Sequence, residues 1–214
     1  MTTRVYAGET ASERVTRRRA ALIDTAISVI AERGWRELRV EHVCKRAGLV
    51  KRYFYESFTD LDELTTAVID QISTDMLAAT FDRAGDSPLG ADFTRAALTG
   101  LVDHVTADPR GMRVLFGEMS ATDSASAVRM DAVRRLASAV EKVGYTAGGT
   151  SNNDPTAALT ASMLIGGIIQ TLQDWVGGHI DMTKTRLIDD LTALVTATGD
   201  TAIRRLRAAG SQAR

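Results

Sequence analysis

The segment LRVEHVCKRAGLVKRYFYESFTDLDEL, residues 38–64, constrains this chain more than any other. It reads as a helix, a tight turn at Gly48, and a second short helix that carries two basic residues and three aromatics in a row, Lys51, Arg52, Tyr53, Phe54 and Tyr55. A short basic-aromatic helix braced by a preceding one has the shape to enter the major groove of DNA. Successive residues on a helix point about 100° apart, so these five spread over more than one face. Phe54 and Phe58, four apart, share a face and are assigned to a small core. Lys51, Arg52 and Tyr55 then look outward, where arginine suits a guanine edge and lysine and tyrosine suit phosphate or thymine contacts. Read without the turn and its preceding helix, the same residues also fit a solvated basic helix with an aromatic core.

The charge distribution agrees with a nucleic-acid partner for one end only. The formal net charge is −1, yet residues 1–58 hold 12 Lys/Arg against 7 Asp/Glu, and residues 59–214 hold 14 against 20. A basic head on an acidic body places the polyanion-facing surface in the head. Arg17, Arg18 and Arg19 precede the apolar stripe of the first helix and are candidates to grip phosphates or reach a neighbouring minor groove. A solvated charged face is the alternative for that run. His42 and Tyr53 are further candidates for the DNA-facing surface.

The signals along the chain are helical, with apolar residues at 3.6-type spacing and no clean alternation of strand type. The expected class is all-α: an N-terminal three-helix, helix-turn-helix DNA-binding domain and a larger C-terminal helical domain for ligand binding and dimerisation. Residues 1–11 read as a disordered arm, 12–59 as the DNA-binding domain and 60–214 as the sensing and pairing domain. Helices are expected at about 12–33, 40–47, 50–57, 60–83, 88–107, 109–120, 125–144, 155–177 and 183–208, the last broken near Gly199. Gly34 and Gly48 supply the stops of the first two. Thr59 is expected to cap the fourth helix with Asp62. The pairs Ser87-Pro88, Asp108-Pro109 and Asp154-Pro155 each look like a capping side chain before a helix-initiating proline. Residues 144–154 read as a flexible loop.

Size and cysteine content exclude other classes. A chain of 214 residues needs no covalent staple, and Cys44 is the single cysteine, so no internal disulfide forms. Cys44 reads as a small packing residue. The three histidines, His42, His104 and His179, lie far apart and give no zinc-like spacing. There is no phosphate-binding glycine loop, nucleophile elbow or paired catalytic carboxylate motif; Gly148-Gly149-Thr150-Ser151 lacks the following lysine. The chain is therefore not expected to be an enzyme, and no cofactor or metal is expected. The apolar run Met163 to Ile169 is too short to cross a bilayer, which takes about 20 residues, and the N-terminus has no signal-peptide pattern, so a cytoplasmic protein with no membrane partner is expected.

Leu22, Ala26, Ile30, Gly34, Val43, Ala47-Gly48, Tyr55, Phe58 and Leu64 stand in the order and spacing that resemble the TetR family of transcriptional regulators, over about residues 16–64. The resemblance implies a homodimer, double-stranded DNA with a palindromic operator as partner, a small-molecule effector whose binding weakens DNA binding, and a phosphate contact from Tyr55. Three positions depart from the family's habit. Val50 stands where a hydroxyl residue is common, Leu61 where lysine is common, and Arg39 where threonine is common; Arg39 is a candidate replacement phosphate contact.

In the body, residues 156–176 are apolar nearly all round, which predicts burial on two sides. One side is expected in the chain's own core and the other, with Leu164, Gly167, Ile168 and Thr171, against a second subunit, joined there by Leu187, Leu191 and Leu194 of the last helix. Gly166 and Gly167 cost helix stability of roughly 1 kcal/mol each relative to alanine, for which close approach by a neighbour compensates. Met112, Leu115, Phe116 and Met119 repeat on one helix, and with Met130, Met163 and Trp175 they suit an adaptable apolar pocket, or else plain core. His104, Gln170 and Asp174 are the candidate polar groups of that pocket. The function expected is a TetR-like repressor released by a small, largely apolar ligand. The alternative is a DNA-binding regulator whose body binds a protein partner or no ligand.

Overall fold

The computed structural model describes residues 10–85, 87–88, 90–116, 123–148 and 155–212. The described residues form helices α1 (Ala11–Arg33), α2 (Val40–Ala47), α3 (Lys51–Tyr55), α4 (Leu61–Ala84), α5 (Ala91–Ala107), α6 (Arg110–Phe116), α7 (Asp123–Gly148), α8 (Pro155–Val176) and α9 (Lys184–Gln212), with a short 3-10 turn at Trp35–Glu37 and no strand among them.

Local chemistry sets the ends of the first helices. Thr10 and Glu13 form a reciprocal capping box: the Thr10 hydroxyl accepts from the Glu13 amide at 3.2 Å, and the Glu13 carboxylate accepts from the Thr10 amide at 2.6 Å. Gly34 ends α1 at φ 82°, and Gly48 ends α2 in the left-handed region at φ 66°. The cap of α4 is Asp60, not Thr59. Its carboxylate accepts from the Glu63 amide at 2.8 Å, and Glu63 in turn accepts from the Thr59 amide at 2.7 Å and hydroxyl at 3.0 Å. Aspartate wins because two carboxylates, at the cap and three residues on, satisfy the first amides in both directions.

Three further expectations are corrected. The helix α5 starts after Gly90, so Ser87 and Pro88 precede it instead of capping it. Helix α7 continues to Gly148, five residues into the segment read as a loop. Helix α9 passes Gly199 without a break. Asp154, most of the 144–154 segment and residues 1–9 lie outside the described residues, whereas Pro155 does begin α8.

One continuous core joins head and body. Leu22 and Ile30 of α1, Val43 of α2, Phe54 of α3 and Phe58 just after it pack onto Leu64 and Val68 of α4. The same cluster continues through Ile69, Ile72 and Met76 to Leu98 and Val102 of α5, Leu115 of α6, Leu172 of α8 and Leu187 of α9. Helix α4 thus belongs to both halves: its first turns complete the head and the rest forms the spine of the body. Its packing with α5 depends on Gly100. A Cβ there would lie 2.0 Å from the Ala79 carbonyl oxygen, a backbone atom that cannot move alone. Gly100→Ala is therefore expected to destabilise by about 1–3 kcal/mol, the usual cost of overpacking, outweighing alanine's better helix propensity. A denaturant titration with an unchanged midpoint would contradict this packing.

Candidate nucleic-acid interface and ligand cavity

Helix α3 is held rigidly from behind. Phe54 is fully buried and packs on Phe58 with ring centroids 5.6 Å apart. The Arg18 guanidinium lies 4.0 Å from the Tyr53 ring centroid and pairs with Glu56 at 2.9 Å, while Arg19 lies 4.2 Å over Phe58 and donates to the Ser57 carbonyl at 2.7 Å. Two members of the arginine run thus bolt α1 to the back of α3 by stacking and hydrogen bonding. Arg18, at 18% side-chain exposure, and half-buried Tyr53 are turned to this joint. A charge run says nothing about stacking partners some 35 residues away, so the sequence could not reveal this.

The outer face of the head carries Arg39, Lys51, Arg52 and Tyr55, all exposed. The Arg52 side chain is 82% exposed, with its Nε 2.9 Å from Glu56, and Lys51 sits 3.8 Å from Glu41. These exposed pairs are weak, so a phosphate can displace them. Arg17 is also exposed. His42 is half-buried with Nδ1 3.2 Å from the Glu37 carbonyl, which fixes its ring at the start of α2. Lys45 and Arg36, absent from the sequence-derived set, are exposed basic residues of the same head. Cys44 is buried, and burial pushes its thiol pKa up, as for a packing residue.

The body holds a half-open apolar cavity of about 250 Å³ among α4 to α9. Phe81, Phe93, Leu101, Ile165 and Ile203 are among its walls. Of the residues expected there, Met112 and Phe116 line it. Leu115 is buried in the core beside it, Met130 and Met163 are exposed on the surface, and Trp175 donates from Nε1 to the Met182 carbonyl at 2.9 Å. Gln170 and Asp174 bond each other at 3.0 Å outside the cavity. Met119 lies outside the described residues. His104 lines a separate polar cleft with Asp24, Asp75, Asp108 and Arg110, between α1 and the body. Thr80, Thr94, Glu141, Thr160, Thr196 and Asp200, which the sequence did not single out, are the cavity's side chains with polar or charged groups.

The polar cleft fastens the head to the cavity wall. Arg110, at the start of α6, donates to Asp24 at 3.0 Å and to the Ser28 hydroxyl at 2.8 Å, both on α1. The Trp35 indole donates to the Val114 carbonyl of α6 at 3.2 Å. Arg110 also grips Asp108 through Nη2 at 2.6 Å, and this guanidinium holds the Asp108 carboxyl below its ordinary value of 3.8. A depressed folded-state pKa contributes stability that is present above pH 3.8 and is lost as pH falls through the folded value. Asp108→Asn is therefore expected to lower stability at pH 7 and to flatten the acid limb of the stability profile. Equal urea midpoints for the two proteins at pH 7 would contradict it.

The fold and the exposed basic-aromatic α3 after a glycine turn define the class: an all-helical, helix-turn-helix DNA-binding regulator. Residues 22–68 match the family model for bacterial regulatory proteins, tetR family, so the likeness to that family lies in the head. An uncharacterized HTH-type transcriptional regulator of Mycobacterium tuberculosis is 28% identical over 186 residues, covering 83% of this chain and 75% of the relative. A TetR-like transcriptional regulator from Rhodococcus sp. RHA1 superposes with a TM-score of 0.61 at 19% identity, covering 85% of this chain and 93% of the other. The Bacillus subtilis regulator FadR in complex with stearoyl-CoA superposes with a TM-score of 0.64 at 16% identity, covering 84% and 98%.

Proposed function

We propose that the protein is a homodimeric repressor that binds a palindromic operator through α1–α3 and is released when a small apolar ligand fills the cavity among α4–α9. The observation that carries this reading is the fastening of α6 to the head. Met112 and Phe116 of α6 face the cavity, while Arg110 and Val114 of the same two turns hold α1 and Trp35. Filling the cavity displaces one side of α6, and the other side carries the head with it. A ligand that favours the displaced form shifts the population away from DNA binding.

The dimer rests on the surface of α8 and α9. Leu159, Met163 and Leu194 are 71%, 57% and 66% exposed. They adjoin Gly166 and Gly167, where a Cβ would meet nothing within 4 Å of this chain. An apolar stripe with a flat glycine step suits a second copy. This moves the proposed interface from the sequence expectation, because Leu187 and Leu191 are buried in the chain's own core, and Leu164 and Ile168 line the cavity. Gly167 and Leu194 remain on the outer face, and Thr171 is half-buried. Helix α8 as a whole, unlike the Met163–Ile169 run, is long and apolar enough by length and composition to cross a membrane. Its packing against α7 and α9 and the match of the head to a DNA-binding family support the dimer reading.

Two basic heads on one site give a strong salt dependence. The slope of log affinity against log salt is expected at about −5 or steeper if roughly six phosphates are neutralised. A flat response in a fluorescence-anisotropy titration would remove the proposed mode of DNA binding.

A further inference from the structure

Glu56 is the one acidic residue between Glu41 and Asp60, and it stands on the head at the end of α3. A carboxylate close to phosphates is unfavourable unless cations compensate it. Here its two oxygens are divided between two arginines. Oε2 accepts from Arg18 Nη1 at 2.9 Å, and Oε1 accepts from Arg52 Nε at 2.9 Å. Arg18 is an anchor, stacked on Tyr53 and largely shielded from solvent. Arg52 stands one helical turn back with its side chain 82% exposed. Helix stabilisation does not account for the pair with Arg52, because acid before base is the better order at this spacing and α3 is only five residues long.

Arg52 is the second residue of α3, and the first residues of a recognition helix are the ones that reach base edges. With Nε held by Glu56, its terminal groups Nη1 and Nη2 carry no hydrogen bond among the described residues. Those two parallel donors match O6 and N7 of guanine. A freely moving arginine spreads over many rotamers and takes a phosphate as readily as a base. We propose, resting on the reading of α3 as the helix that enters the major groove, that Arg52 reads a guanine in each half-site and that Glu56 is the positioning residue that aims it. Arg18 fixes Glu56 from behind, so the carboxylate keeps its place when Arg52 moves. Two arginines against one glutamate leave the trio cationic toward DNA, and the bond from Arg52 to Glu56 strengthens as the groove sheds water.

Selection from a random-sequence duplex library by the full chain tests this, with wild type beside Arg52→Ala and Glu56→Gln. Anisotropy titrations then compare the selected site, the same site with one G·C pair exchanged for A·T, and an unrelated duplex. Wild type is expected to prefer guanine at one position of each half-site by roughly 5-fold to 100-fold, and Arg52→Ala to lose that preference. Glu56→Gln keeps the size and one acceptor oxygen but not the charge. It is expected to cut the guanine preference about threefold to tenfold at the same position, the scale of one hydrogen bond. Its affinity for the unrelated duplex is expected to hold or rise, because a negative charge has left the interface. An unchanged guanine preference in either variant would overturn the proposal. So would a Glu56→Gln protein weakened by the same factor on all three duplexes, the mark of a merely structural brace. Loss of a cytosine at another position would make Glu56 itself a reader of bases and equally overturn it. A wild type that enriches no sequence would overturn the reading of α3 and the proposal together.

Discussion

With Lys51, Arg52 and Tyr55 replaced together by alanine, operator affinity is expected to fall on the order of 10²–10⁴-fold, with the melting temperature held. Both halves of this expectation come from the same geometry. The three side chains are exposed, Tyr55 to 60%, and exposed substitutions away from caps and cores usually change stability by no more than about 0.5 kcal/mol. The head keeps its core of Phe54 and Phe58, and Glu56 keeps its bond to Arg18 when Arg52 is gone. On DNA, each arginine-to-base contact carries about 1–3 kcal/mol, and a dimer loses every contact twice. Arg18→Ala forms the informative contrast. It removes the stack on Tyr53 and the pair with Glu56, so it should weaken DNA binding through a looser α3 and lower the melting temperature as well. A triple variant that binds operator like the wild type would show that α3 is not the reading helix.

The second large effect is expected at the α8–α9 face. Met163→Glu/Leu194→Glu places two charges on a surface that is exposed in one subunit and buried in the proposed dimer. A buried unpaired charge is strongly unfavourable, so sedimentation should show a monomer where the wild type is a dimer. Operator affinity should fall by about 100-fold or more, because the second head no longer benefits from the first being bound. The fold should survive, since neither side chain belongs to the core. A double variant that remains dimeric would place the interface elsewhere. Wild-type protein partitioning into phosphatidylcholine vesicles in place of dimerising would assign the apolar face of α8 to lipid.

The head was legible because its signals are local. The bounds of α2, Val40–Ala47, follow from the short apolar stripe of Val40, Val43 and Ala47 and from Gly48, and Phe54 and Phe58 share a face by spacing alone. Where competition between neighbours decided the outcome, the sequence was ambiguous. Thr59 and Asp60 are both good caps, and Glu63 settled the matter. Arg18 and Arg19 looked like phosphate ligands because their stacking partners, Tyr53 and Phe58, are remote in sequence and adjacent only after folding.

The body was legible as helices and less so as a site. The methionine spacing suits a pocket wall, yet Met130 and Met163 face outward. The cavity is walled by Met112 together with Phe81, Phe93 and other residues of α4 to α9 that read as ordinary core. Which face of the apolar helix α8 turns inward depends on how it packs against α7 and α9. His104 was drawn to the pocket by its chemistry, but its position on α5 turns it to the cleft with Arg110.

The most direct test of the central claim is to sequence genomic DNA fragments captured by the purified protein, wild type beside Arg52→Ala/Tyr55→Ala. The account predicts that the wild type alone enriches one palindrome, with half-sites about one helical turn apart, roughly 34–36 Å. Equal recovery of unrelated fragments by both proteins would contradict a specific, dimeric reader.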